Sequence, residues 1–274
     1  MREKMREYIR FLEYEEKSRA TREQYRRDIE KFLSFLGDRR LTKEVVIQYK
    51  ELLQNRYQPG SVNTKLAAIN GFFSFLGNSQ LRVKLLKIQK KPFCSNEKRL
   101  SRAEYLRLVE TAKQKGNEKL ALIIQTICGT GIRVSELQFI TTEAVASGEA
   151  AICLKGKNRT VLIAGRLRKA LKTYICREGI VSGPVFTTRS GRPMDRFCIW
   201  KMMKSLCENA GVRAEKVFPH NLRHLFARCF YSLDKDIVRL ADILGHSSIN
   251  TTRIYIAAFG YEHRRRIDAL GLVI

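Results

Sequence analysis

Apolar residues recur at spacings of three and four along most of this 274-residue chain, and one stretch replaces the pattern with a different one. A helix buries a stripe that repeats every 3.6 residues, so this periodicity restricts the fold to packed helices over most of its length. Between residues 150 and 164 the period changes. The runs 151–154 and 160–163 are short and β-prone, and they flank Lys155, Gly156, Lys157, Asn158 and Arg159. Gly and Asn suit a tight turn, so an antiparallel hairpin with three cations at its tip is expected here. The chain is therefore mainly α, with one small β element.

Four helices are expected before residue 80. Met5, Tyr8, Ile9 and Leu12 share a face of the first. The second opens at Thr21, where Thr21 and Gln24 have the spacing of a capping box, and Gly37 ends it. The third follows Thr42. The fourth is capped by Ser61 after the break at Pro59-Gly60, with Val62, Leu66, Ile69, Phe72, Phe73 and Leu76 as its inward stripe. Periodicity then fades through a stretch rich in lysine (Lys84, Lys87, Lys90, Lys91), which reads as a linker over 81–98. The second domain spans 99–274. Ser101 and Glu104 form a capping-box signature for its first helix. A buried helix follows over 120–128, and the Gly129-Thr130-Gly131 turn then presents Arg133 at the start of another. A helix from Asp195 is expected to bury Phe197, Trp200, Met203 and Leu206. Further helices are expected over 221–231, 235–244 and 249–257, with a tail from Tyr261.

Charge limits the partner. The chain holds 52 Lys and Arg against 27 Asp and Glu, a net +25, and both sides of residue 96 are basic. A polyanion gripped by two domains is the expected partner, with nucleic acid the default. The seven cysteines (94, 128, 153, 176, 198, 207 and 229) include no Cys-x-x-Cys pair, and their number is odd. They are expected as reduced core residues, neither a disulfide framework nor a zinc site. No apolar run reaches the roughly 18 residues a membrane span needs. The N-terminus is charged from Arg2 with no signal-peptide core, which suits a cytoplasmic protein.

Residues 218–255 concentrate chemistry-bearing side chains. They hold His220, Arg223, His224, His246 and Tyr255. Breaking a phosphodiester without a metal takes a nucleophile, donors for the non-bridging oxygens and a proton for the leaving oxygen. Tyr255 can attack phosphorus. Arg133 and Arg223 can each hold phosphate oxygens through a planar fork of N–H donors. His246 can donate to the developing phosphorane, and His220 can serve as general base or further donor. Lys155 at the hairpin can protonate the leaving oxygen. His224 supports from behind. No metal and no cofactor are called for.

Taken in order, these residues resemble the tyrosine recombinases, in particular the Xer and phage-integrase branch. Gly-Thr-Gly-Ile-Arg-Val-Ser-Glu-Leu at 129–137 resembles that family's first arginine box, and Lys155-Gly156-Lys157 its hairpin lysine. Phe-Pro-His-Asn-Leu-Arg-His at 218–224 resembles its His-x-x-Arg box. Leu-Gly-His-Ser-Ser at 244–248, then Thr-Thr-Arg-Ile-Tyr at 251–255, resembles its closing box with the nucleophile. The resemblance implies an N-terminal four-helix, SAM-like core-binding domain over 1–80 and a mostly helical catalytic domain, closing as a clamp round a duplex. It implies strand cutting and rejoining through a 3′-phosphotyrosine on Tyr255 and a Holliday junction, serving integration, excision, inversion or resolution. The implied partner is double-stranded DNA with a specific core site. It is held by a homotetramer, or a heterotetramer with a related recombinase, with room for an accessory DNA-bending protein. The bound enzyme would be nucleoid-associated. Lys155 and Lys157 both compete for the acid role, with Lys155 favoured because it precedes the glycine. The tail over 262–274 suits docking on a neighbouring protomer or packing on its own domain equally. The rival readings are a type IB topoisomerase, a telomere-resolving strand transferase and a non-catalytic DNA-binding protein on the same scaffold.

Overall fold

The computed structural model describes residues 1–88, 99–154, 157–256 and Ala269, without the side chains of Leu154 and Lys157. Lys155, Cys94 and the tail apart from Ala269 lie outside the described residues. The chain divides into two compact units, Met1–Lys90 and Lys91–Ile274.

The first unit is built from α1 (Arg2–Tyr14), α2 (Arg19–Leu36), α3 (Lys43–Arg56) and α4 (Pro59–Phe75). The most apolar of the four is α4, and it feeds two clusters. Phe72 joins Met5, Tyr8, Leu12 and Ile29. Val62, Leu66, Ile69 and Phe73 join Phe32, Val46, Tyr49 and Leu53. Each fully buried phenylalanine contributes roughly 1.5–3 kcal/mol over its exposed state. Two helix starts differ from expectation. The cap of α2 is Ser18, whose hydroxyl accepts from the Thr21 amide, so the helix begins before Thr21. In α4, Pro59 takes the first turn, where its missing N–H costs nothing, and Ser61 is already helical. Thr42 caps α3 as expected.

The start of the stretch read as linker is packed on this unit. Asn70 receives the Val83 amide at 3.0 Å and donates to the Val83 carbonyl at 2.8 Å. Asn63 does the same for Leu86, at 2.8 and 2.9 Å. Seven helical residues rise about 10.5 Å, and three extended residues span about 10 Å. The two asparagines on α4 therefore match Val83 and Leu86 in spacing, and this segment of chain runs as a strap along the helix.

The second unit comprises α5 (Arg102–Gln114), α6 (Glu118–Thr130), α7 (Thr142–Ser147), the hairpin, α8 (Gly165–Arg177), α9 (Arg196–Lys204), α10 (Pro219–Asp234), α11 (Ile237–Leu244) and α12 (Ile249–Ile256). Ser101 and Glu104 cap α5 reciprocally. The central helix is α6, with Leu120, Ala121, Leu122, Ile123, Ile124 and Ile127 all buried. Its end at Gly131 has φ +66, and a Cβ there would collide with Phe226 of α10. Glycine thus serves both the left-handed turn and the close approach of α10.

The hairpin pairs β1 (Glu149–Leu154) with β2 (Lys157–Leu162), from Glu149 opposite Leu162 to Leu154 opposite Lys157. The first strand ends at Leu154 as expected, but β2 begins closer to the turn than the sequence indicates, so Arg159 belongs to β2 and not to the tip. Two other expectations fail. Phe197 is 68% exposed and Trp200 39%, and the two rings stack on each other, while Ile199 and Met203 face the core. Among the six described cysteines, only Cys207 is buried; 153, 176 and 229 are exposed, and all six are free thiols. None of the described helices is long and apolar enough to cross a membrane.

Candidate active site

Four segments deliver the site. The turn after α6 carries Arg133, and the first turns of α10 carry His220, Arg223 and His224. The turn after α11 carries His246, and α12 carries Tyr255. Pro219 in the first turn of α10 fixes the backbone just ahead of His220. Gly245, at φ +63, ends α11 and turns the chain into His246.

Arg223 lies at the bottom, fully buried. Its guanidinium donates to the Gly131 carbonyl at 2.5 Å and the Leu244 carbonyl at 2.7 Å. It thereby ties the end of α6 to the end of α11. The Nη2 group also lies 2.9 Å from His246 Nε2. A guanidinium can only donate, so Nε2 accepts and the ring proton sits on Nδ1. From there it reaches the buried Thr252 hydroxyl at 2.8 Å. Burial, with the nearby Arg133 charge, pulls Arg223 down to about 10. It stays charged at neutral pH.

Tyr255 is buried, and its ring lies among three imidazoles. His224 stacks on it at 4.1 Å and 21°, His246 lies 5.1 Å away, and His220 meets it edge-on at 5.4 Å. Its hydroxyl is 3.4 Å from His220 Nε2. The Arg223 guanidinium carbon sits 6.0 Å from the ring centre. A phenol, an imidazole and a cation are thus brought together in one place.

Arg133 stands at the rim, 40% exposed, with Nη1 on Glu136 Oε1 at 2.8 Å. Glu136 is buried. Its Oε2 takes the Arg133 amide at 2.7 Å and Arg159 Nη2 at 2.6 Å. Burial pushes this carboxyl up, but the bonds from Arg133 and Arg159 prevail and hold it below the usual range. Sequence reading singled out Arg133 but gave Glu136, Arg159 and Thr252 no part in the site. Among the described residues, no group of three His, Cys, Asp or Glu is arranged to hold a metal ion.

The histidines are held neutral. Burial first, then neighbouring positive charge, lowers His220, takes His246 to about 4 and takes His224 to about 3. The unfolded chain takes up protons near 6.5, which the folded site refuses. This contribution to stability is complete above pH 6.5 and is lost as pH falls toward 4 and 3. The melting temperature should therefore drop between pH 6.5 and 4.5. His224→Phe keeps the stack on Tyr255 but has no proton to gain, so its melting temperature should fall less steeply over that range. Parallel slopes for variant and wild type would show that His224 does not carry this linkage.

The chain as a whole is similar to known proteins. Residues 98–260 match the phage integrase family, and residues 5–80 match the phage integrase N-terminal SAM-like domain. The tyrosine recombinase XerA of Pyrococcus furiosus is 29% identical, over 99% of this chain and 95% of its own. A crystal structure of XerA recombinase is 26% identical and superposes with a TM-score of 0.55, over 100% of this chain and 99% of that one. A lambda integrase tetramer bound to a Holliday junction shares the fold at a TM-score of 0.74 and 16% identity, over 93% of this chain and 76% of that one. The chain belongs to the phage integrase family, the site-specific tyrosine recombinases.

Proposed function

We propose that this recombinase cuts and rejoins duplex DNA through a 3′-phosphotyrosine on Tyr255, exchanging strands by way of a Holliday junction. The observation that carries the reading is the Tyr255 hydroxyl on His220 Nε2, with its ring over the buried Arg223 charge. In the cleavage step Tyr255 Oη bonds to phosphorus as the bond to the 5′ oxygen breaks. The phenolic proton passes to His220, which burial keeps neutral and able to accept it. The leaving 5′ oxygen takes a proton from Lys155, with Lys157 the alternative donor. The freed 5′-hydroxyl then attacks the partner strand's phosphotyrosine, so the phosphodiester is conserved.

Arg133 and Arg223 hold the non-bridging oxygens as charge builds on them. Among the described residues, the buried Arg223 Nε has no hydrogen-bond partner, a donor the protein itself leaves unused. His246 joins as a donor once its proton moves to Nε2. The Thr252 hydroxyl permits this because it can donate to Nδ1 as readily as accept from it. The basic charge of +25 suits a duplex with a specific core site, gripped by residues 1–80 as well as by the catalytic domain 99–274. The lambda integrase relative, solved as a tetramer on a Holliday junction, supports four protomers per reaction, identical or paired with a related recombinase.

The test is covalent capture. The protein first selects its own core site from a pool of random duplexes. That site is then built as a nicked duplex whose cleaved end is lost by diffusion. An SDS-resistant protein–DNA adduct is expected, undiminished in EDTA, with recombinant joints from the unnicked site. Binding without any adduct would overturn the reading. Relaxed circles without recombinant joints would move it to a topoisomerase.

A further inference from the structure

Arg159 touches neither Tyr255 nor His220 among its hydrogen bonds, yet it links two parts of the site. On β2 its side chain is 13% exposed. One amino group donates to Glu136, the carboxylate that also holds Arg133. The other donates to the Ile243 carbonyl at the end of α11. Its stem lies against Gly245, where a Cβ would collide with Arg159 Cδ, directly before His246 in the chain. The adjacent Leu244 carbonyl belongs to Arg223. Two arginines from different elements thus cap one helix end, whose carbonyls favour positive charge, and together set where His246 stands.

The charge balance matters more. Glu136 is only 3% exposed and faces two guanidiniums. A buried carboxylate with one counter-charge holds it tightly; with two, it shares the demand. We infer that Arg159 is a positioning residue that shares the neutralisation of Glu136, so that Arg133, held there by one arm, keeps its other donors for the scissile phosphate, while the second arm of Arg159 fixes the turn carrying His246. This rests on the phosphoryl-transfer reading of the site. In the absence of Arg159, Glu136 would depend on Arg133 alone and draw it away from the phosphate.

The experiment measures single-turnover adduct formation on the nicked, self-selected core duplex. It is run with an ordinary scissile phosphate and with a methylphosphonate, whose methyl group removes the negative charge. Arg159→Met should slow cleavage of the ordinary phosphate roughly 100-fold, the scale of a displaced catalytic group. On the methylphosphonate, which asks less of Arg133, the loss should shrink to roughly a tenth of that factor. Adding Glu136→Gln to Arg159→Met should recover part of the rate, because a neutral amide needs no counter-charge. Arg159→Lys keeps the charge but not the two-armed fork, so it should fall between wild type and Arg159→Met and show the same phosphate dependence. Equal losses on both phosphates, or further loss in the double variant, would reduce Arg159 to a structural residue. Wild-type rates in both single variants would remove the role altogether. If the wild type itself forms no Tyr255-dependent adduct, the reading of the site falls first and this role with it.

Discussion

Replacing Tyr255 with phenylalanine should abolish the covalent adduct entirely while leaving the protein folded and bound to its core duplex. The two effects separate because ring and hydroxyl do different work. The ring packs with Ala227, Leu240 and Leu244 and stacks on His224, and phenylalanine keeps all of that area. The hydroxyl makes one long bond, 3.4 Å to His220. Such a bond is weak, so its loss should cost under about 1 kcal/mol. Chemistry responds differently, since no phosphotyrosine forms without the phenolic oxygen. The check combines adduct yield on the nicked duplex, duplex affinity and the thermal melt. An adduct at the wild-type rate in Tyr255→Phe would place the nucleophile elsewhere. A collapsed melting transition would show that the hydroxyl bond holds α12 in place.

The parts of this architecture legible in the sequence are those set by local chemistry. Helix stripes such as Val62, Leu66, Ile69 and Phe73 are a property of one segment, and they are buried as expected. The Ser101–Glu104 box and the Thr42 cap each depend on a span of four consecutive residues, and both form. Errors arise where two local signals compete. Ser18 and Thr21 are both good caps, and Ser18 wins because its hydroxyl reaches both the Thr21 amide and the Thr21 hydroxyl. Phe197 and Trp200 look like core by type, but Ile199 and Met203 hold the buried face of a helix only nine residues long.

The site divides in the same way. Its residue types and their order were readable, and the structure gathers Arg133, His220, Arg223, His246 and Tyr255 from four segments. What joins them was not readable, because it spans distant parts of the chain. Arg223 rests on a carbonyl 92 residues away, and Arg159 on a carboxylate 23 residues away. No spacing rule covers such pairs; only the packing of α10 on α6, and of the hairpin on the turn after α6, brings them within reach. The His246 tautomer is a further step removed, since it follows from which neighbours can only donate.

Arg223→Lys tests that buried network most severely. Arginine meets three acceptors at once: the Gly131 carbonyl, the Leu244 carbonyl and His246 Nε2. An ammonium on a shorter, non-planar end cannot satisfy all three in those directions. At least one buried carbonyl is then left unpaired, which costs about 1–3 kcal/mol, so the melting temperature should fall by several degrees. The loss in catalysis should be larger. The fork that would hold the non-bridging oxygens is gone, and removing one such donor alone costs roughly 10²–10³-fold. His246 also loses the partner that fixes its tautomer, so the two effects compound and single-turnover cleavage should drop about a thousandfold or more. Duplex affinity should change far less, because a net charge of +25 spread over the chain carries it. A variant that lost affinity and cleavage in equal measure would show that Arg223 serves ground-state binding and not the transition state. One that cleaved at the wild-type rate would mean that Arg223 only braces the ends of α6 and α11.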